Sequence, residues 1–380
     1  MQRILVTGGL GFIGSHTVDL LIEKGYSVIV IDNLEKQVHN GVEPKYKNPK
    51  AEYIRGDIRN RKTWEKALDG TDGIIHLAGA VGIAQSFWQA KKYMDVNTSS
   101  TALMYEQILK LRSEKNQKYP EKIVVASSKS LYGEGLYECK IHGIKSPDVR
   151  PIEQLKKHEW ETKCDECGAD MKPIGITENK FPQNLNPYSL SKYATERLSM
   201  DFSYTMGIDT VAFRYFNVYG ERQSLSNPYT GVMAIFLSRL KNNHQPFLFE
   251  DGKQLRDYIY VKDVARMNVM ALEKGNGVYN LGTGKPLSLL GVVELLNKNL
   301  GTDIQPKISE EFRPGDNRHD YANTEKLNHD FGSTNFVDVE KGVGNLIQWS
   351  LTEKSFDKFE KQEIERKKYL NVNENLIKKS

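Results

Sequence analysis

Apolar residues in this chain fall into short continuous runs, separated by stretches whose apolar positions recur at helical spacing. Arg3 to Val6 reads as a buried strand. From Phe12 to Lys24 the period lengthens, with Phe12, Ile13, Val18, Leu21 and Ile22 on one helical face. Ser27 to Ile31 predicts a second strand ending at Asp32, Tyr53 to Asp57 closes a third, Gly73 to Leu77 forms a fourth and Ile123 to Ala126 a fifth. Strands alternating with helices predict an α/β chain with a doubly wound parallel sheet, covered by helices on both faces. Further on, Asn186 suits a helix cap and Pro187 a first helical position, so a long helix opens there. Gly231 to Asn242 and Leu287 to Leu300 predict later helices.

The segment Thr7-Gly8-Gly9-Leu10-Gly11-Phe12-Ile13-Gly14 lies between the first strand and the first helix. A glycine-rich turn in that place brings backbone N–H groups and a helix N-terminus up to a pyrophosphate. Gly8, Gly11 and Gly14 have the spacing Gly-x-x-Gly-x-x-Gly, a variant of the common dinucleotide fingerprint. Asp32 ends the second strand, where an acid about 20 residues past the glycines accepts hydrogen bonds from an adenosine ribose. It would also repel a 2′-phosphate, which favours NAD over NADP. Ala78 and Gly79 follow the fourth strand; small residues there let a cofactor lie against the backbone and equally suit tight helix–strand packing. His76, just before them, reads as a core histidine.

Tyr188 and Lys192 stand four apart at the start of the long helix and face the same way. A free tyrosine, with a pKa of about 10, is a poor base at neutral pH. A neighbouring ammonium and a positive nicotinamide ring favour the phenolate. Tyr188 then suits removal of a hydroxyl proton while hydride leaves the same carbon. The fifth strand runs into Ser127-Ser128, a third element of the same pattern.

Taken together, these features resemble the extended short-chain dehydrogenase/reductases, in particular the NAD-dependent epimerase/dehydratase group acting on nucleotide sugars. The resemblance runs from Arg3 to about Ala322. It is carried also by Arg55-Gly56-Asp57-Ile58, His76-Leu77-Ala78-Gly79, Asp95-Val96-Asn97 and Ser127 to Gly133. Later motifs are Arg214 to Gly220, Arg256 to Val261 and Arg313-Pro314-Gly315-Asp316. It implies a Rossmann fold with a smaller C-terminal substrate-binding lobe. Residues 1–185 would form the NAD-binding domain with residues 136–180 inserted, residues 186–350 the remaining sheet segments and the lobe, and residues 351–380 a charged tail. It further implies that Ser128 hydrogen-bonds the reacting sugar oxygen beside Tyr188 and Lys192, and that Asp57 and Ile58 contact adenine. Asn33, Leu77 and Asn97 join the cofactor contacts, Asn217 contacts the substrate, and Arg256 and Arg313 clamp its diphosphate. Arginine suits that task through its planar fork.

The resemblance also orders the possible reactions. Dehydratases of this family carry an Asp-Glu pair after the catalytic threonine, and the decarboxylases a nearby glutamate. Lys129 and Ser130 stand there instead, which leaves epimerisation at C4 through a 4-keto sugar as the simplest expectation. Lys129 itself reads as a solvated loop lysine. A nucleotide-sugar 4-keto reductase or dehydratase, or a non-catalytic sugar-nucleotide sensor, are the alternatives.

The stretch between Ser128 and Tyr188 is about twice as long as in well-known 4-epimerases of the family. It holds all three cysteines, as Cys139-x-x-His142 and Cys164-x-x-Cys167-Gly168. Two pairs at this spacing fit a four-ligand, structural zinc site. Family members with such an insert include those described as dTDP-L-rhamnose 4-epimerases. Cysteines grouped with a histidine indicate metal rather than disulfides and a reducing, cytoplasmic setting. A net charge of +4 over 380 residues gives no reason to expect nucleic acid, and no run is long enough to cross a membrane. Lys354, Lys358, Lys361, Arg366, Lys367, Lys368, Lys378 and Lys379 crowd the tail among acids, predicting a solvated helix or frayed end. Family analogy gives a homodimer built on the Tyr188 helix and the helix near Val96 to Leu111.

Overall fold

The computed structural model describes residues 2–39, 41–114 and 118–370 of the chain. Seven strands form one parallel sheet: β1 (Arg3–Thr7), β2 (Ser27–Asp32), β3 (Glu52–Arg55), β4 (Gly73–His76), β5 (Lys122–Ser128), β6 (Asp209–Tyr215) and β7 (Gly277–Leu281). Their order is β7-β6-β5-β4-β1-β2-β3. The first five are the strands read from the apolar runs; β6 and β7 return from the later chain. The pleat sorts each strand between two cores. In β1, Ile4 and Val6 join one face with Val18, Phe213 and Val264, while Leu5 joins the other with Trp64, Tyr105 and Ile108. The strand order reverses between β1 and β4, and in open α/β sheets ligands bind at the carboxyl ends of the strands at such a reversal.

Four helices matter for the site: α1 (Phe12–Glu23), α2 (Ile83–Trp88), α3 (Pro187–Met206) and α4 (Phe359–Leu370). The cap expected at Asn186 is present: its side chain accepts from the Ser189 amide at 2.9 Å, and the Ser189 hydroxyl lies 3.2 Å from the Asn186 amide. Gly207 in the left-handed conformation ends α3. The helix packs on β5 and on the helical run from Met94 to Ser113.

The second lobe is built on a three-stranded sheet, Asn217–Tyr219, Leu255–Tyr260 and Pro286–Ser288, in mixed register. Helices Val232–Lys241, Leu289–Leu300 and Val339–Ser350 close a second apolar core over it. The insert forms its own antiparallel sheet in the order Gly143–Lys145, Leu136–Cys139, Lys172–Ile174. Of the two expectations for the charged tail the solvated helix holds: no residue of α4 is buried, and aromatic and charged contacts dock it across the two halves. Residues 371–380, with Lys378 and Lys379, lie outside the described residues.

The glycine turn shows why the sequence needs glycine there. A Cβ on Gly14 would lie 2.1 Å from the Gly8 carbonyl oxygen and 2.8 Å from Gly9 Cα, both backbone. Gly14→Ala is therefore expected to destabilise the fold by about 1–3 kcal/mol, read by urea denaturation. A midpoint unchanged from the parent protein would refute the packing described.

Candidate active site

Residues expected to hold a dinucleotide converge on the carboxyl ends of β1, β2 and β4. Gly8 adopts φ +69° and its backbone abuts that of Ala78, where an added Cβ would come within 2.9 Å. The small residues after β4 thus serve close packing of the two turns. No side chain caps α1 and no acid lies in its first turn, so its leading N–H groups are open to an anion. Phe12 and Ile13 pack into the lobe core, tying this helix end to the second half. Asp32 is nearly buried and accepts from the amides of Leu10 at 3.0 Å and Leu34 at 2.9 Å. It pins the glycine turn to the end of β2.

Asp57 receives Arg59 Nε at 2.9 Å and Nη2 at 2.7 Å, and Asn33 Nδ2 at 3.1 Å. The Arg59 guanidinium holds the Asp57 carboxyl down to about 2. Ile58 is buried beneath it. The amides of Leu77 and Ala78 both donate to Thr7 Oγ1. Asn97 uses its amide on the loop after β4: Oδ1 accepts from Ala80 at 2.8 Å, while Nδ2 donates to the Ala80 carbonyl and to Ser191. It shapes the loop and fastens it to α3. His76 is a core histidine, as expected. It sits between Thr7 and Thr101, and burial lowers its pKa to about 3.

Ser128 ends β5 in extended backbone, and its hydroxyl accepts from the Ser130 amide at 3.2 Å. Tyr188 is buried against it and edge-on to Tyr93. Burial raises the Tyr188 pKa, and a hydrogen bond with Ser128 opposes that rise. Lys192 is buried and pushed down to about 8 by desolvation. Its ammonium lies 3.7 Å from where Gly79 would carry a Cβ, which puts it at the carboxyl end of β4. The structure thus gathers Ser128, Tyr188, Lys192, Gly79 and the glycine turn into one region.

What fixes Tyr188 against Ser128 is absent from the motif reading. Glu196, one turn beyond Lys192 on the same helix face, accepts from Ser127 Oγ at 2.6 Å and from Nε and Nη2 of Arg214, at 2.9 and 2.6 Å. Arg214 also donates to Tyr132 Oη at 2.7 Å, and Tyr132 donates to Asn280 at 2.7 Å. One buried ion pair thereby locks α3 to β5, β6 and β7. The available signal was the four-residue step from Tyr188 to Lys192 to Glu196.

Lys129 corrects the expectation of a solvated loop lysine. Its ammonium meets Asp320 at 2.6 Å with only 15 % of the side chain exposed. Burial lowers its pKa, against the pull of Asp320. Asp320 also faces Arg256 Nε at 3.3 Å. Arg256 spends its remaining donors on the carbonyls of Leu255, Asn317 and Arg318. Asn217 donates to the Asp257 carbonyl, on the same strand as Arg256. Arg313 is paired with Asp316 and stacked 4.3 Å over Phe249.

The insert brings Cys139, His142, Cys164 and Cys167 together, with their ligand atoms all within 4.8 Å of one another. Cys139 Sγ lies 3.7 Å from both His142 Nδ1 and Cys167 Sγ, and Cys164 Sγ 3.4 Å from His142 Nδ1. Zinc with its usual bond lengths in a tetrahedron has edges of about 3.5–3.8 Å, so the donor set fits that ion. Amides of His142 and Ile141 point at Cys139 and lower its thiol pKa. Those of Cys167 and Glu166 act the same way on Cys164, against the upward push of burial. Glu166 lies 3.6 Å from His142 Nε2, the usual carboxylate partner for a ligating imidazole.

A charged hub joins the insert to the lobe. Glu134 is fully buried and accepts from the amides of Gly135 and Arg318 and from Tyr137 Oη. Arg150 forks onto Glu250, and Arg318 reaches Asp251, Glu250 and Glu161.

Comparison with known proteins places the chain among the epimerases and dehydratases of one family. Residues 5–141 match the GDP-mannose 4,6 dehydratase family, and residues 163–282 the NAD dependent epimerase/dehydratase family. The chain is 31 % identical over 355 residues to the dTDP-L-rhamnose 4-epimerase of Burkholderia thailandensis, covering 92 % of this chain and 94 % of that one. It is 30 % identical over 378 residues to the bifunctional UDP-glucose and UDP-xylose 4-epimerase 1 of Pisum sativum, covering 92 % and 95 %. Among solved structures, the UDP-glucose 4-epimerase of Thermotoga maritima with UDP-glucose superposes with a TM-score of 0.74. It is 29 % identical and covers 92 % of this chain and 98 % of that one. The Thermus thermophilus UDP-glucose 4-epimerase complex with NAD has a TM-score of 0.71 at 26 % identity, covering 93 % of this chain and 100 % of that one.

Breaking one side of the Glu196–Arg214 pair leaves a buried charge without its partner. Glu196→Ala should cost about 3–5 kcal/mol of stability, measured by denaturant unfolding; a loss below about 1 kcal/mol, the size of a surface pair, would sink the clamp.

Proposed function

Because the chain belongs to the NAD-dependent epimerase/dehydratase family, we propose that it inverts C4 of a nucleotide-diphosphate sugar through a transient 4-keto sugar. The observation that carries this reading is the single region shared by Ser128, Tyr188, Lys192 and the glycine turn. NAD would lie along the glycine turn and Asp32, and it supplies an acceptor for the C4 hydride that can return it. Tyr188 takes the C4 hydroxyl proton and later gives it back. Ser128 orients the same oxygen. Lys192, desolvated beside Gly79, favours the phenolate whenever it carries its proton. Carboxylates that would expel water are missing at Lys129 and Ser130, and Asp320 is engaged by Lys129 and Arg256. That favours inversion over dehydration. Arg256 and Arg313 are the diphosphate candidates, with Asn217 toward the sugar; Arg256 would exchange backbone carbonyls for phosphate oxygens.

The substrate is a dTDP-deoxysugar such as dTDP-L-rhamnose or a UDP-hexose. Carbohydrate biosynthesis is the setting such a reaction serves. Zinc is the metal proposed for Cys139, His142, Cys164 and Cys167, with a structural role since all four ligands come from protein. A homodimer would cover Leu109, Leu190 and Tyr204, which are exposed on the helices at Ser100–Ser113 and on α3. Among the described residues no helix is long and apolar enough to cross a membrane.

Incubation with UDP-, dTDP- and GDP-sugars, followed by NMR at C4, tests the reaction. Inversion without net cofactor consumption supports it, and stoichiometric consumption of added NADH would make the protein a reductase instead. Tyr188→Phe should lower turnover by at least about 10²–10⁴-fold while the purified protein keeps its NAD. The active phenolate forms as pH rises, so kcat/KM should climb through the Tyr188 pKa. Ser128→Ala removes the interaction that lowers that pKa, so its profile should move to higher pH; a shift the other way contradicts the assignment. For the metal, one equivalent of zinc per chain is expected in protein purified without chelator. Cys164→Ser with Cys167→Ser should lose it and melt at lower temperature.

A further inference from the structure

The tail carries features that the reaction scheme leaves unused. Leaving the lobe after Ser350, it is fastened by Ser355 to Ser238 at 2.7 Å, by the Phe356 amide to Ser226 at 2.9 Å, and by Asp357 to His244 at 2.6 Å. Helix α4 then begins on the lobe, where the Phe359 ring packs 5.6 Å from Phe247 and under Arg239 at 4.6 Å. Midway, Arg366 lies 5.9 Å from the ring centre of Phe249, the ring that also carries Arg313. The helix ends against the cofactor half: Tyr369 stacks on Trp88 of α2 at 5.2 Å and 18°. Glu365 takes a hydrogen bond from Tyr229 nearby.

Beneath this span lies a cavity of about 590 Å³, lined by Lys36 just beyond Asp32, Gln85 and Trp88 of α2, Tyr229, and Lys361 and Lys368 of α4. Its wall is rich in lysine. Beyond its anchor on the lobe, where Phe359 meets Phe247 and Arg239, the roof is held by the Tyr369–Trp88 stack, the Tyr229–Glu365 hydrogen bond and Arg366 over Phe249, with no buried α4 residue. Elements with so little buried apolar contact open at low free-energy cost.

We propose that residues 351–370 form a latch over the nucleotide-sugar cleft, hinged on the lobe and released at the Trp88–Tyr369 stack. This rests on the epimerase reading. Inversion at C4 requires the keto sugar to turn over inside the protein between loss and return of the hydride. A ketone that escapes leaves the dinucleotide reduced and the cycle broken. A wall joining the cofactor half to the lobe holds it in, and opening that wall admits an anionic nucleotide past the lysines. Latches of this kind sequester reaction intermediates in many enzymes.

The full-length chain serves for the test, with Tyr369→Ala and the conservative Tyr369→Phe. Amide hydrogen exchange across residues 359–370 is followed with and without UDP or dTDP. Slower exchange with nucleotide in the parent protein and Tyr369→Phe, and a lost response in Tyr369→Ala, support the latch. An exchange rate indifferent to both nucleotides overturns it, whether or not any sugar is turned over. During turnover, Tyr369→Ala should raise KM about 2- to 10-fold, the value of one aromatic stack. It should also release 4-keto sugar into the medium, matched by bound NADH absorbing at 340 nm. Unchanged KM with no released ketone refutes the proposal; failure of the parent protein to invert any sugar would count against the epimerase reading alone.

Discussion

The geometry of this site depends on one buried ion pair. Glu196 stands on the helix face that carries Tyr188 and Lys192, and its carboxylate meets Ser127 and the Nε and Nη2 of Arg214. Ser127 is the chain neighbour of Ser128. A rotation of α3 that carried Tyr188 away from Ser128 would therefore also pull a buried carboxylate from a buried guanidinium. In low dielectric that separation is far costlier than the small torsional preferences of the side chains themselves. Tyr132 and Asn280 extend the clamp to β7, so two strands far apart in sequence are held to α3 by the same pair.

Much of the fold was legible because its signals are local. Apolar runs marked the first five strands, Asn186-Pro187 marked the start of α3, and glycine spacing marked a turn in which a Cβ at Gly14 has no room. The cysteine pairs were legible for a similar reason: each knuckle is four residues long. What could not be read were partners distant in sequence. Lys129 looked solvated because no acid lies within four residues of it in the chain, yet Asp320 reaches it from almost two hundred residues away. Glu134, Arg150, Glu161 and Arg318 are separate charges in the sequence and one connected network in space, buried except at Glu161. The tail looked like solvated charge because its ring contacts, Trp88 and Phe247, lie in other elements.

That network gives the insert a physical task beyond housing a metal. Arg318 and His319 stand between the insert and the substrate side. Their amides hang from Glu134, and His319 and Arg318 share Glu161. The carbonyls of Asn317 and Arg318 in turn orient Arg256, and Asp320 holds Lys129. An antiparallel sheet of three short strands is a weak support by itself. Four side chains drawn to one point would fix the loops at its end, and through them the peptide that aims the arginine.

Charge around Ser128 argues for the same chemistry from another side. Elimination of water needs a carboxylic acid and a base beside the ketone. Here the residue after Ser128 is a cation, and its carboxylate partner is shared with Arg256 and with Asn317. The ketone would therefore meet Tyr188 as the group able to move a proton at C4. With Lys129 and Ser130 in place of carboxylates, the proposed cycle would close by hydride return, to a face set by how far the sugar turns within the walls around it.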